Sequence, residues 1–136
     1  MHTVQQLVEQ WCQQQNTAAQ STEGRVSFSV DGANGSFPAA VLCLEGDRAM
    51  VCLYGVQVFV PEGRRDEVAR RLPAINFPLK IGAVQLNAEN GELSYRMTQL
   101  LPEDEESAAA LVNQALLFSA HAMDGLLQTL ISLCCA

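Results

Sequence analysis

Five cysteines and two histidines are the side chains of this sequence with the greatest capacity for nucleophilic, redox or metal chemistry. They are Cys12, Cys43, Cys52, Cys134, Cys135, His2 and His121. Their spacing forms neither a paired metal-ligand motif nor a catalytic constellation, and the chain has no serine-centred nucleophile elbow and no glycine-rich phosphate loop. We therefore predict that the protein is not an enzyme and has no catalytic residue, no cofactor and no metal.

The cysteines have a simpler expected role. Cys43 and Cys52 fall within strand-like apolar runs, so we expect them to be small core residues. An odd number of cysteines without a signal peptide favours a reducing compartment and predicts that no disulfide forms. The adjacent pair Cys134 and Cys135 could bind a soft metal or oxidise, but neighbouring cysteines bridge poorly. A frayed C-terminal tail is the expectation for that pair.

The remaining candidate sites have equally ordinary interpretations. His2 should be frayed at the N-terminus, and His121 should be solvated on the polar side of the last helix. Residues 31–35 resemble the start of a calcium loop, but Ala33 and Gly35 stand where oxygen ligands are needed. Calcium binding is therefore not expected.

Composition limits the class of partner. The chain has 136 residues, which is enough for a single domain spanning residues 1–136 with one core. It has 8 Lys and Arg against 15 Asp and Glu, for a formal net charge of -7, so it should repel nucleic acid. No stretch reaches the roughly 18 uninterrupted apolar residues of a membrane span. We expect a soluble, cytoplasmic protein that binds neither nucleic acid nor membrane.

The first half of the chain predicts a helix followed by strands. Thr3 and Gln6 have the spacing of a capping box, and apolar residues recur on one face of a helix over about residues 3–15. A polar linker is expected at residues 16–24. Alternating or continuous apolar runs predict strands at about 25–30, 37–44 and 48–60, the last one bent at Gly55.

The second half predicts a helix, a hairpin and a long helix. A charged helix over about 62–72 should end at Pro73, which cannot donate the helical hydrogen bond. Strands at 81–86 and 92–100 should form a hairpin through Asn90 and Gly91. Acidic residues at 103–106 precede a final helix over about 104–132. The prediction is an α+β domain in the order helix, three strands, helix, two strands, helix, with a five-stranded antiparallel sheet packed by helices.

The apolar periodicity also predicts the core. Its expected members are Leu7, Trp11, Val26, Phe28, Val41, Cys43, Val51, Leu53, Val58, Val68, Leu72, Val84, Leu86, Leu93, Tyr95, Leu111, Ala115, Met123, Leu126 and Leu130.

This order of elements and a set of short sequence matches resemble the YbjN family, bacterial proteins described as sensory transduction regulators. The matches are Val60-Pro61, the helix from Arg65 to Leu72, Ile75-Asn76, Ile81-Gly82, and the hairpin residues Leu86, Glu89, Asn90, Gly91 and Glu92 running into Tyr95-Arg96. The resemblance covers about residues 25–133 and implies the fold that this family shares with type III secretion chaperones. Two residues depart from the family pattern. Pro73 shortens the second helix, and Pro78 lies in the passage before the fourth strand, where chaperone dimers of this fold often make subunit contacts.

Exposed apolar and basic side chains are the candidates for association. Leu117 falls outside the apolar arc of the final helix, and that arc spans roughly 180°, which is more than one sheet contact buries. Arg64 and Arg65 crowd onto the second helix, where acidic neighbours favour a solvated face over an anion site. The candidate partner or dimer residues are Leu117, Phe118, Arg64, Arg65 and Phe77.

These observations favour a non-catalytic intracellular regulator or chaperone-like adaptor that binds a segment of another protein and forms a homodimer. The interface should use the final helix or the sheet edge near the second helix. One alternative is a small-molecule sensor with a pocket between the final helix and the sheet, near Trp11, Phe59, Phe77 and Tyr95. Another is a type III secretion chaperone for one effector.

Overall fold

The computed structural model describes residues 1–135 and contains three helices and one six-stranded sheet. The helices are α1 (Val4–Gln14), α2 (Arg65–Asn76) and α3 (Glu105–Cys135). The strands are β1 (Ala19–Thr22), β2 (Arg25–Gly32), β3 (Gly35–Leu44), β4 (Ala49–Gly55), β5 (Ala83–Leu86) and β6 (Leu93–Leu100). A short 3-10 helix, Glu62–Arg64, leads into α2.

The sheet is antiparallel throughout, with the strand order β1-β2-β3-β4-β6-β5. The predicted α+β class and the order of its elements are confirmed. The prediction of a linker at 16–24 is wrong, because Ala19–Thr22 pair with β2 and make a sixth strand at the edge of the sheet. Their short polar side chains give no apolar alternation, and the backbone pairing alone places them in the sheet.

The start of α1 has the predicted capping box and a second cap that sequence reasoning missed. The Thr3 hydroxyl accepts a hydrogen bond from the Gln6 N–H, and the Gln6 side chain accepts one from the Thr3 N–H. The Glu45 carboxylate, from the turn after β3, accepts hydrogen bonds from the N–H groups of Val4 and Gln5 at 2.8 and 3.0 Å. A carboxylate at a helix N-terminus also interacts favourably with the helix dipole, so this contact fixes α1 to the sheet.

Two predicted boundaries in the middle of the chain are wrong. The third predicted strand ends at Gly55 instead of residue 60, and the segment after it leaves Val58 39% exposed, so its assignment to the core is also wrong. The second helix continues through Pro73 to Asn76. Proline removes one helical N–H, but its own carbonyl still accepts from the Phe77 N–H at 2.9 Å, so the last turn closes.

The predicted hairpin of the last two strands is confirmed, with its loop held on the rest of the molecule by Gly91. Gly91 has φ +81°, its N–H donates to the Asn87 carbonyl at 2.7 Å, and its carbonyl accepts from the Val60 N–H at 2.8 Å. An added Cβ would collide with the Val60 carbonyl. Both the conformation and the close approach therefore require glycine at this position.

The three helices pack on the sheet face that carries the alternate apolar residues of the strands, here called the helix face. Trp11 of α1 packs on Phe28 with ring centroids 5.8 Å apart, and Tyr54 of β4 reaches Ser119 of α3. Fourteen predicted core residues are buried. Leu53, Leu72, Leu86, Leu111 and Leu126 are only partly buried.

Helix α3 begins at Glu105 and is the longest element, running across the helix face to Cys135. By length and composition it could cross a membrane, with a mean hydropathy of 1.3 and 33% of the apolar window buried. The core helix of a soluble protein can have the same length and composition, and one stripe of α3 is buried in the core here. The absence of membrane binding stays a prediction.

The other side of the sheet, here called the open face, has no helix packed on it within residues 1–135. Two rows of paired residues lie on this face. In one row Ser27 of β2 pairs with Ala40 of β3, which pairs with Leu53 of β4, and in the other Gly55 of β4 pairs with Ser94 of β6. An antiparallel sheet commonly leaves one face to solvent, but that face is then usually polar. Here Ala40 and Val51 of the central strands lie on it and are buried by their neighbours.

Candidate functional site

A cavity of about 910 Å³ lies on the open face. Small residues form its floor, and larger side chains stand around them. The floor includes Ser27, Ala40, Gly55 and Ser94. Because side chains alternate along each strand, these four share one face of the sheet. The segment after β4 contributes Phe59 to the cavity.

Ser94 and Arg25 are two of the polar residues that line this cavity. Ser94 is only 6% exposed, and among the described residues its hydroxyl has no hydrogen-bond partner. Arg25, the first residue of β2, donates from Nε to the Ser27 hydroxyl at 3.2 Å and is thereby held over the floor. Within residues 1–135, Arg25 forms no ion pair. Sequence reasoning missed this site, although the small residues at outward strand positions were a signal for it.

A second recess of about 430 Å³ lies between the C-terminal end of α1, β2 and α3, and is here called the α3 crevice. It is lined by Trp11, Tyr54, Leu116 and Leu117 among others. The position agrees in part with the predicted sensor pocket. The four aromatic residues expected there are not brought together, however.

Those four aromatic residues lie in separate places. Trp11 lines the α3 crevice, Phe59 lines the cavity on the open face, and Tyr95 is fully buried in the core. Phe77 is 91% exposed in the loop between α2 and β5. The prediction that these four residues lie together is wrong. Sequence periodicity shows which face of an element a residue occupies, but it does not show which ends of the elements meet.

The candidate partner residues occupy two distant surfaces. Phe77 and the partly exposed Ile81 lie in loop 77–82, beside the β5 edge of the sheet. Leu117 is 51% exposed on α3, and Phe118 beside it is also exposed. The exposure of Leu117 is confirmed. The buried stripe of the helix passes through Leu116 and Ser119 and leaves Phe118 outside it.

Arg64 and Arg65 already hold backbone carbonyls within the molecule. Arg64 donates to the Leu133 carbonyl at 2.9 Å, near the end of α3. Arg65 donates to the carbonyls of Val60, Ala88 and Glu89 at 3.1 to 3.3 Å and so joins α2 to the hairpin loop. A role for either arginine in a partner interface stays a prediction.

The β5 edge of the sheet is closed by a side chain. The Asn76 amide at the end of α2 donates to the Val84 carbonyl at 3.0 Å and accepts from the Val84 N–H at 2.7 Å. It occupies both backbone groups of Val84, which point away from β6, so an added strand cannot bond at that residue. The other edge strand, β1, has four exposed residues.

The thiols are mostly buried and weakly acidic. Burial raises the pKa of Cys12 to about 11, with a further rise from Glu9. It raises the pKa of Cys43 and of Cys52 to about 12. Thiols with such values are poor nucleophiles at neutral pH.

The predicted frayed ends are ordered. Cys134 is buried and donates to the Val58 carbonyl at 3.3 Å, so its expected place in a frayed tail is wrong, whereas Cys135 is exposed. His2 is also not frayed, because its backbone N–H and its ring both contact the Glu105 carboxylate. The hydrogen bond from that N–H, followed by the ring contact, lowers the pKa of Glu105. His121 is exposed, as expected.

A small hydroxyl network lies in the core. The hydroxyls of Tyr54 and Ser119 are 2.6 Å apart, and the Ser119 hydroxyl donates to the Ala115 carbonyl at 2.6 Å. Burial raises the pKa of Tyr54 above its ordinary range. The network joins the middle of the sheet to α3. Within the part of the chain that the structure describes, no three His, Cys, Asp or Glu side chains form a group that could hold a metal.

The fold and these surfaces define a small two-layer α+β domain with a wide recess on its open face. A family model described as "YbjN: Putative bacterial sensory transduction regulator" matches residues 5–131. The chain belongs to the YbjN family. No curated protein and no solved structure matches it.

Proposed function

We propose that this YbjN-family protein is a non-catalytic intracellular regulator that acts by binding another protein as a homodimer. The family description supports a regulatory role. The observation that carries the proposal is the exposure of Phe77, which leaves 91% of an aromatic side chain in water. Large exposed apolar side chains grouped on a surface typically mark an interaction site.

Loop 77–82 is the proposed dimer contact. Its exposed apolar residues, Phe77 and Ile81, are separated by Pro78, which restricts the backbone and lowers the entropy cost of ordering the loop. A two-fold axis beside this loop would place the same apolar patch of each copy against the other, as an isologous interface requires. Because Asn76 blocks strand addition at this edge, the contact would be made by side chains.

The α3 crevice is the proposed site for the regulated partner. Leu117 stands at its rim, while Trp11 and Tyr54 lie deeper. A recess with apolar and polar side chains in its wall fits a helical or extended segment that inserts one or two apolar side chains and bonds polar groups at the rim. The alternative, from the resemblance to secretion chaperones, is a chaperone for a single effector. It would use the same surface, the α3 crevice, and differ only in the protein that it binds.

Light scattering during size-exclusion chromatography at about 10 µM tests the dimer. We expect twice the chain mass of 14.8 kDa for the wild type and the chain mass for Phe77→Asp. Leu100→Asp is the matched control, because Leu100 is also an exposed apolar residue, at 67%, but lies at the end of β6. A monomeric wild type, or a Phe77→Asp protein that remains dimeric, would refute the proposed interface.

Cross-linking in the native host followed by mass spectrometry tests the partner site. A specific partner should carry cross-links to residues around the α3 crevice, and Leu117→Asp should lose that partner while Leu100→Asp retains it. Equal recovery with both variants would show that the crevice is not the binding site.

A further inference from the structure

The cavity on the open face has the size of a small-molecule site. Ligand pockets typically enclose roughly 300–1,000 Å³, and this cavity holds about 910 Å³. Its depth comes from the register, because Ser27 and Ala40 are adjacent on the floor, as are Gly55 and Ser94. The small residues at these four outward positions leave a depression that larger side chains would fill.

The Ser94 hydroxyl is a polar group available inside the cavity. Within residues 1–135 it has no protein partner, and it is not among the fully buried polar atoms, so it is accessible from the cavity and free to bond a bound molecule. Ser94 is 94% buried, because it is 6% exposed, and it lines the cavity without a hydrogen-bond partner in residues 1–135. A bound molecule with one polar group over the floor would satisfy it.

The charged groups around the cavity indicate which molecule fits. Arg25 stands on one side, with its Nε fixed by Ser27 and no acidic partner within the described chain. Glu92 stands on the other side, three strands away, just before β6. Between them, Leu53 and Phe59 supply apolar surface. An acid group would be attracted to the Arg25 side and repelled from the Glu92 side.

We propose that the open-face cavity binds a small molecule with an apolar body and one carboxylate, oriented with the carboxylate at Arg25. The apolar body lies against Leu53 and Phe59, and a polar atom of the ligand reaches the Ser94 hydroxyl. This proposal concerns the face opposite the helices and does not depend on partner binding at loop 77–82 or at the α3 crevice.

Titration of the ¹⁵N-labelled protein with octanoate, octanol and octylamine tests it by NMR. Octanoate should shift the amide signals of Ser27, Ala40 and Ser94 and leave those around Leu117 unchanged. Octanol should bind the same site more weakly because it lacks the carboxylate, and octylamine should not bind in the orientation of octanoate, because Arg25 repels its ammonium group and Glu92 attracts it. Shifts centred on the α3 crevice, equal binding of all three compounds, or no shifts at millimolar octanoate would each refute the site.

Single substitutions separate the contributions of the Arg25 charge and of the cavity volume to ligand binding. Arg25→Gln should weaken octanoate about fivefold and leave octanol unchanged, because only the carboxylate uses the guanidinium. The matched control, Glu92→Gln, lines the same cavity and should not weaken octanoate. Ala40→Leu should fill the floor and abolish the binding of both compounds, with thermal melts confirming that each variant is folded. Octanoate binding that survives Ala40→Leu in a folded protein would overturn the proposal.

Discussion

Replacing Gly91 with alanine should destabilise the protein by about 3 kcal/mol. Gly91 has φ +81°, and this conformation costs a residue with a Cβ about 1–2 kcal/mol. The added Cβ would also collide with the Val60 carbonyl and lie 2.9 Å from Arg65 Nε. To relieve the contact, Val60 must move away from the loop.

That movement breaks specific hydrogen bonds. The Val60 N–H donates to the Gly91 carbonyl at 2.8 Å, and the Val60 carbonyl accepts from Arg65 Nε at 3.1 Å. Each is worth about 1 kcal/mol net. Weakening one or both and adding the backbone cost gives a total of about 2–4 kcal/mol. The loss should appear in the midpoint of the unfolding curve and leave its slope unchanged.

Urea unfolding followed by circular dichroism measures this difference. Gly46→Ala is the matched control, because Gly46 lies in a turn, has no positive φ, and has open space where its Cβ would be. We expect the control to change stability by less than about 0.5 kcal/mol. If Gly91→Ala were as mild as Gly46→Ala, the assignment of the loop contact between Gly91 and Val60 would be refuted.

The remaining predictions concern thiols and the buried hydroxyls. A chromogenic disulfide reagent at pH 8 should modify Cys135 rapidly and Cys43 and Cys52 slowly, because burial raises the pKa of the latter two to about 12 and thiolate is the reactive form. Equal rates in the folded protein would contradict their burial. Ser119→Ala should lower the free energy of unfolding by about 1–2 kcal/mol, because the Tyr54 hydroxyl then lacks its partner at 2.6 Å. In urea unfolding, the double variant Tyr54→Phe/Ser119→Ala should lose less free energy of unfolding than the sum of the losses of the two single variants. A loss equal to that sum would count against the network.

Local signals predicted the type and order of the elements. The Thr3 capping box, the alternating strands and the Asn90-Gly91 loop each lie within a few residues of the chain, and each is present in the structure. Strand β1 was missed because it carries no apolar pattern and forms through pairing with β2. Tertiary contacts likewise allow α2 to continue past Pro73.

The candidate sites were predicted less well than the fold. Exposure at Leu117 follows from its position outside the apolar arc of α3. The cavity on the open face depends on the register of neighbouring strands, which places Ser27 beside Ala40 and Gly55 beside Ser94. No single stretch of sequence contains that information, and the two expected frayed ends were also fixed by contacts from distant residues.

The Asn76 side chain at β5 has a consequence for the aggregation of this protein. A sheet with two free edges can grow without limit, because each copy adds its first strand to the last strand of the next. Here Asn76 holds both Val84 backbone groups, so that head-to-tail addition is blocked at one end. The β1 strands of two copies can still pair with each other, but such a pair uses the β1 edge of both copies, so a third copy cannot add there. One amide therefore obstructs edge-to-edge propagation of the sheet into a fibre while the fold is intact.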